Sequence, residues 1–353
     1  SPFSRTQRDK LLTWSKWAKE GNLLPPFERK ILYEGGHYNF IFVSRLYRLS
    51  KTLDMLIEHL DDDAAQVHEI VDVGYCCYLE AQSNSGDPEA QYCLADALYY
   101  ELLGLEEDEA KALYWMNKAA EQGNQEAECA LALWYCMGLC GLEEDEPKAL
   151  EILKGAIERG SARAKDLLGD WYSSGVAVEQ DLDKAFDLFS QASSSGLEDG
   201  TVHLAFCYAN GKGTEADPDK AFEIIKSLAG SGNARGMRLL GGFYSSGIGT
   251  NEDPKEALKW WHKSASLDDD FSIYRIGQCY WFGDGVEEDD EQAFCYFMRA
   301  SELGNSRADH YLGLAHYTGR GCDENDEKAF SYFTKAVDGG MEDSFYYLGI
   351  CYY

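Results

Sequence analysis

Seven histidines, eleven cysteines and 62 acidic residues are the side chains with which this 353-residue chain could do chemistry. Their spacing points away from it. His310 and His316 are six residues apart in one predicted helix, which puts them on different faces instead of the i, i+4 spacing of a metal pair. His203 lies three sequence units earlier. Four glycine pairs, Gly211/Gly213, Gly247/Gly249, Gly283/Gly285 and Gly319/Gly321, could suit a phosphate loop. They lie between helices, however, and none continues to G-x-x-x-x-G-K-[ST]. H-E-x-x-H, G-x-S-x-G and S-x-x-K do not occur. The acidic runs read as solvated carboxylates, without the pocket that would raise a pKa for acid catalysis. The sequence therefore predicts no enzyme, no cofactor and no metal site.

What the sequence does predict is a repeating scaffold. An alanine recurs at Ala112, Ala149, Ala185, Ala221, Ala257, Ala293 and Ala329, in steps of 37 and then 36 residues. Leu94, Leu131, Leu168, Leu204, Leu240, Ile276, Leu312 and Leu348 keep the same time. So do Gly123, Gly160, Gly196, Gly232, Gly304 and Gly340, with Asp268 once in the slot. A fixed period of this size means stacked supersecondary units. Each unit reads as two helices; in the fifth, helix A covers about 234–244 and helix B about 254–266. Helix A carries small residues after its leucine (Ala95, Gly169, Ala205, Gly277, Gly313), which let a neighbour come close. Helix B opens on an acidic residue, as at Asp217-Pro218 and Asp253-Pro254. It buries Trp115, Leu153, Phe189, Ile225, Trp261, Phe297 and Phe333 against its partner. The loop glycines suit turns that need positive φ.

The composite pattern A-x-x-x-L-G-x-x-Y-x-x-G-x-G…D-x-x-K-A-x-x-x-x-x-K-A-A-x-x-G resembles the Sel-1-like repeat (SLR) family. Lys111-Ala112, Lys148-Ala149, Lys184-Ala185, Lys220-Ala221 and Lys328-Ala329 carry its K-A motif. The resemblance covers residues 87–353, seven full units and the first helix of an eighth. Two departures are visible: one extra loop residue in each of the first two units, and His316 where other units have tyrosine or, once, Leu98. The resemblance implies an all-α fold, a right-handed superhelical α-solenoid of stacked helix-turn-helix repeats, tetratricopeptide-like. It also implies an interaction module of the kind used in signalling, protein quality control, cell-wall regulation or bacteria–host contact. Some secreted members staple helix A to helix B with disulfides. Here Cys207, Cys279 and Cys351 share one slot and no copy offers the second cysteine. Irregular placement and an odd total read as reduced, buried thiols, which favours the cytoplasm.

Residues 1–86 do not follow the repeat. Helices are expected over 6–20, 27–33, 38–60 and 64–82, either capping the first unit or forming a separate module. Charge divides the chain at the same place. Residues 1–60 hold ten Lys/Arg against six Asp/Glu, and the remainder 22 against 56, a net of −34. Acid gathers at loops and helix-B starts, where it offsets the helix dipole or faces a basic partner. The repeat region should repel nucleic acid and anionic lipid, and no apolar run is long enough to span a bilayer. The chain opens without Met and stops after one helix of an eighth unit, so it reads as an excised piece.

Stacked helix pairs place the A helices along the concave side, where their non-core slots form a groove. The slot after the helix-A tyrosine becomes aromatic late in the chain, at Trp281 and Tyr317. These two are expected about 10 Å apart by neighbouring-helix spacing. With Phe206, Tyr274, His310 and Leu314 they form the expected recognition surface for a protein or peptide segment. Packing between neighbouring A helices would explain the same aromatics. Basic residues in the partner would answer the rim acids Glu287–Asp290, Asp323 and Glu324. A non-catalytic scaffold is thus the first reading, and a regulatory or targeting domain of a larger enzyme the second.

Overall fold

The computed structural model describes residue 76 and residues 79–102 and 105–351. Of the four N-terminal helices expected from sequence, only the end of the last falls among them, with residues 79–84 helical. The described residues otherwise form helices joined by short loops, with no strand among them. These are α1 (Pro88–Tyr99), α2 (Glu109–Glu121), α3 (Gln125–Met137), α4 (Glu146–Glu158), α5 (Ala162–Ser174) and α6 (Leu182–Ser194). There follow α7 (Glu198–Asn210), α8 (Pro218–Gly230), α9 (Ala234–Ser246), α10 (Pro254–Ala265) and α11 (Asp270–Phe282). The last are α12 (Asp290–Glu302), α13 (Ser306–Thr318), α14 (Asp326–Asp338) and α15 (Ser344–Cys351). Odd numbers are A helices and even numbers B helices. The chain divides into two compact units between residues 200 and 201, within α7.

The D-x-x-K-A motif is a helix start. In α2, α4, α6 and α8 the aspartate side chain accepts the backbone N–H of the lysine three residues on, at 2.9–3.0 Å. Such a cap satisfies one of the donors a helix start leaves open. The cap residue also closes the loop behind it. Its backbone N–H donates to the carbonyl of the helix-A tyrosine, as in Asp217 to Tyr208 at 2.7 Å and Asp253 to Tyr244 at 2.8 Å. Asn325 makes the same bond to His316 at 2.8 Å. The loop thus needs a carbonyl at that slot, not a phenol, which is why histidine is accepted there.

Each B helix ends on a residue with positive φ. Glycine supplies it at Gly123, Gly160, Gly196, Gly232, Gly304 and Gly340, and Asp268 does so at φ 58°. Asp268 belongs to the small group of residues that tolerate this region, and its carboxylate is held by Arg299 at 2.6 Å. The second loop glycine answers a different need. A Cβ on Gly285 would lie 2.6 Å from the carbonyl oxygen of Pro254, the first residue of the preceding B helix. Cys140 and Ala177 hold that slot in earlier loops at φ 58° and 54°. The Cys140 thiol donates to the Glu109 carbonyl at 3.0 Å.

The centre of each repeat is a notch and a knob. A Cβ on Gly169 would fall 2.7 Å from the ring of Phe189, and one on Gly277 or Gly313 2.6 Å from Phe297 or Phe333. Gly241 meets Trp261 in the same way. Where the notch is alanine, the knob is aliphatic: Ala95 with Met116, Ala132 with Leu153, Ala205 with Ile225. Met116 corrects the sequence assignment of Trp115 to this position. Met116 is fully buried four residues after Ala112, as Leu153 is four after Ala149, whereas Trp115 is half-buried. The helix period sets the knob at the fourth residue, so size alone misleads.

Notch and knob should be energetically coupled. Gly277→Ala is expected to cost about 1–3 kcal/mol by overpacking. Phe297→Leu, which restores the alanine–aliphatic pairing found in other units, should recover part of that loss in the double variant. Chemical denaturation of the two single variants and the double variant measures the coupling. Strictly additive losses would contradict the pairing.

Candidate functional site

The second compact unit carries all six residues expected to meet a partner, and the structure sorts them into two sets. Trp281 and Tyr274 point inward. Trp281 is 6% exposed, with its ring edge-on to Phe297 and Tyr311 at 5.9 Å each. The Arg320 guanidinium covers its face at 3.8 Å and donates to its carbonyl at 3.0 Å. Tyr274 is buried against Phe297 and Tyr311, and burial pushes its phenol up to about 12. Neither ring offers a face to a groove, so the expected exposed pair of Trp281 and Tyr317 is corrected: the next repeat's loop supplies Arg320 as a lid on the first.

The other four are reachable to different degrees. Phe206 on α7 is 38% exposed and sits edge-on to Phe243, and Tyr317 on α13 is 36% exposed. Leu314 and His310 are half-buried. His310 Nδ1 lies 2.8 Å from the Ser344 hydroxyl among Tyr311, Phe333 and Tyr347, and burial holds its pKa below the usual histidine value. This is a packed histidine and not a base facing a cleft.

The face that is open runs one residue out of register from Tyr274 and Trp281. On α11 it consists of Arg275, Gln278 and Phe282, spaced as neighbours on one side of a helix. Phe282 is 56% exposed, with Tyr311 edge-on at 6.3 Å. Arg275 lies over the Trp261 ring at 4.7 Å and donates to Gln278 at 2.8 Å; Gln278 donates to the Tyr311 hydroxyl at 3.0 Å. Arg275, Gln278 and Phe282 line a cavity of about 290 Å³ together with Ser245, Glu252, Trp261, Cys279 and Asp284. Sequence reasoning passed over Arg275, the one arginine in a slot that other units fill with Cys93, Ala130, Leu167, His203, Leu239, Tyr311 and Tyr347. That departure within the repeat was the available signal.

The acidic rim is partly spoken for. Asp289 caps α12, and Arg320 pairs with Glu288 at 2.8 Å and with Asp290. Glu287, Asp323 and Glu324 remain exposed. No helix among the described residues is long and apolar enough to cross a membrane.

Over the described residues these features define an all-helical fold of the solenoid class, built from stacked helix pairs that present A-helix side chains. The chain belongs to the Sel1 repeat family: Sel1 repeats match at residues 88–124, 125–161, 162–197, 200–233, 234–269, 271–305 and 306–341. A protective antigen present in uropathogenic Escherichia coli strains, which displays an SLR fold, is similar at 29% identity with a TM-score of 0.53. That match covers 78% of this chain and 59% of the antigen, so the chain spans under two thirds of its length. A Sel1 repeat protein from Oxalobacter formigenes matches in fold, at 23% identity and a TM-score of 0.58, over 92% of this chain and 97% of its own. No curated protein matches the chain. Sel1 repeat proteins are in general protein-interaction scaffolds, and their helical fold is typically non-catalytic.

Proposed function

We propose that this protein is a non-catalytic scaffold or adaptor that holds a protein or peptide segment on the A-helix face of its second compact unit. The observation that carries this reading is the exposed Phe282, which fills no notch of the core, on a face otherwise lined by Arg275, Gln278 and the outer edge of the Tyr311 ring that stacks on Phe297. Phe206, Leu314, Tyr317 and His310 extend the surface, with Trp281 and Tyr274 supporting it from beneath. An exposed aromatic beside rigid polar groups is the composition of a binding hot spot. Basic residues in the partner would meet Glu287, Asp323 and Glu324, so its on-rate should fall with added salt.

Partner recovery from the cells that make the protein tests this reading. Phe282→Ala or Leu314→Asp should weaken the recovered complex by about 2 kcal/mol, while Cys295→Ser on the exposed side of α12 leaves it unchanged. Trp281→Ala should instead lower stability by about 3–5 kcal/mol as a buried aromatic. Equal affinity for both surface variants and the parent protein would sink the assignment.

The compartment we propose is the cytoplasm. Support comes from the odd total and irregular placement of the cysteines and from the burial of the Cys129, Cys136, Cys140 and Cys279 thiols. Alkylation under denaturing, non-reducing conditions should label nearly all eleven cysteines; labelling of three or fewer would place the protein in an oxidising compartment.

A further inference from the structure

Among the described arginines of the second unit, Arg238, Arg299 and Arg320 each hold a carboxylate, at 3.2, 2.6 and 2.8 Å. Arg307 pairs with none and lies exposed over the Phe271 ring at 5.3 Å. Arg275 also pairs with none, but it is not exposed. It is half-buried in the lining of the 290 Å³ cavity, and its contacts are the Trp261 ring, at 4.7 Å, and the side-chain oxygen of Gln278. No described carboxylate comes within 4 Å of it, in a chain whose net charge is −30. A guanidinium that has lost part of its water and gained no anion is poorly compensated. Its position is nevertheless fixed. The indole lies on one side, and the Arg275–Gln278–Tyr311 ladder ties it across two A helices. A planar fork held still beside an open cavity is suited to a carboxylate, which it can grip through two parallel bonds.

The rest of the cavity narrows the choice. At about 30 Å³ per water, it holds on the order of ten non-hydrogen atoms. An aspartate or glutamate side chain would fill only part of that space. A chain end brings its carboxylate, its Cα and its last side chain together. Glu252 and Asp284, also in the lining, call for a cation on the ligand beside the carboxylate that Arg275 would hold. Phe282 offers an exposed ring to an apolar residue.

Building on the interaction surface proposed above, we infer that the Arg275 cavity is a receptor for the C-terminal carboxylate of a partner polypeptide, with a basic residue near that end. The ion pair forms with Arg275, Gln278 and Tyr311 hold the guanidinium in place, and Glu252 and Asp284 select the neighbouring cation.

The intact chain is immobilised and offered three randomised hexapeptide libraries: one with free C-terminal carboxylates, one amidated, and one amidated with a fixed internal aspartate. The free-acid library should be retained at least tenfold more than either amidated library, with Lys or Arg enriched near its end. Arg275→Gln should abolish the difference, and Arg275→Lys should keep part of it. Because the library comparison is made on the parent protein, it does not depend on a variant folding. Equal retention of free-acid and amidated libraries overturns the carboxylate receptor while leaving the interaction surface standing. Equal retention of the internal-aspartate library overturns it in favour of side-chain recognition, and retention of none overturns it outright.

Discussion

The structure depends on one steric exchange repeated through the chain: a side chain removed from helix A makes room for one added on helix B. Gly169, Gly241, Gly277 and Gly313 admit Phe189, Trp261, Phe297 and Phe333, and alanine admits methionine, leucine or isoleucine. Protein interiors are packed to crystal density, so the two positions cannot vary independently. This exchange fixes the rotation of helix A about its axis. Once Gly277 faces Phe297, Tyr274 and Trp281 turn toward the core, and Arg275, Gln278 and Phe282 turn away from it. The core therefore decides which residues can meet a partner.

The connections between helices use mostly backbone. The cap aspartate holds the start of helix B, and its N–H reaches the carbonyl of the helix-A tyrosine slot. Side chains at these slots are then free to change. Lys148 and Lys220 lie over Tyr135 and Tyr208 at 4.0 and 4.1 Å, yet Glu256 and Gln292 replace the lysine without loss of the loop. Acid is abundant at these starts because caps and helix dipoles both favour it. Most of the rim charge between residues 287 and 290 is consumed in this way or by Arg320, which leaves fewer acids for a ligand than composition implies.

The period, the two-helix unit, the caps and the turn glycines were legible in the sequence because each is a local or steric requirement that every copy must meet. The errors lie between adjacent residues. Trp115 and Met116 are both apolar, as are Trp281 and Phe282, and one step along a helix turns a side chain by about 100°. Sequence periodicity tolerates either choice. Arg320, 39 residues beyond Trp281, decides that the indole is covered, and Met116 is chosen by the notch at Ala95. Arg275 was readable as the one arginine in its slot, but its meaning depends on there being no described carboxylate within 4 Å of it, which only the fold reveals.

Hydroxyl-radical footprinting of the folded protein, read residue by residue by mass spectrometry, tests most directly whether the core sets the register of the open face. The account predicts rapid oxidation at Phe282 and Tyr317 and protection at Trp281 and Tyr274, although indole is intrinsically the more reactive ring. Oxidation of Trp281 as fast as Phe282 in the native state would contradict it.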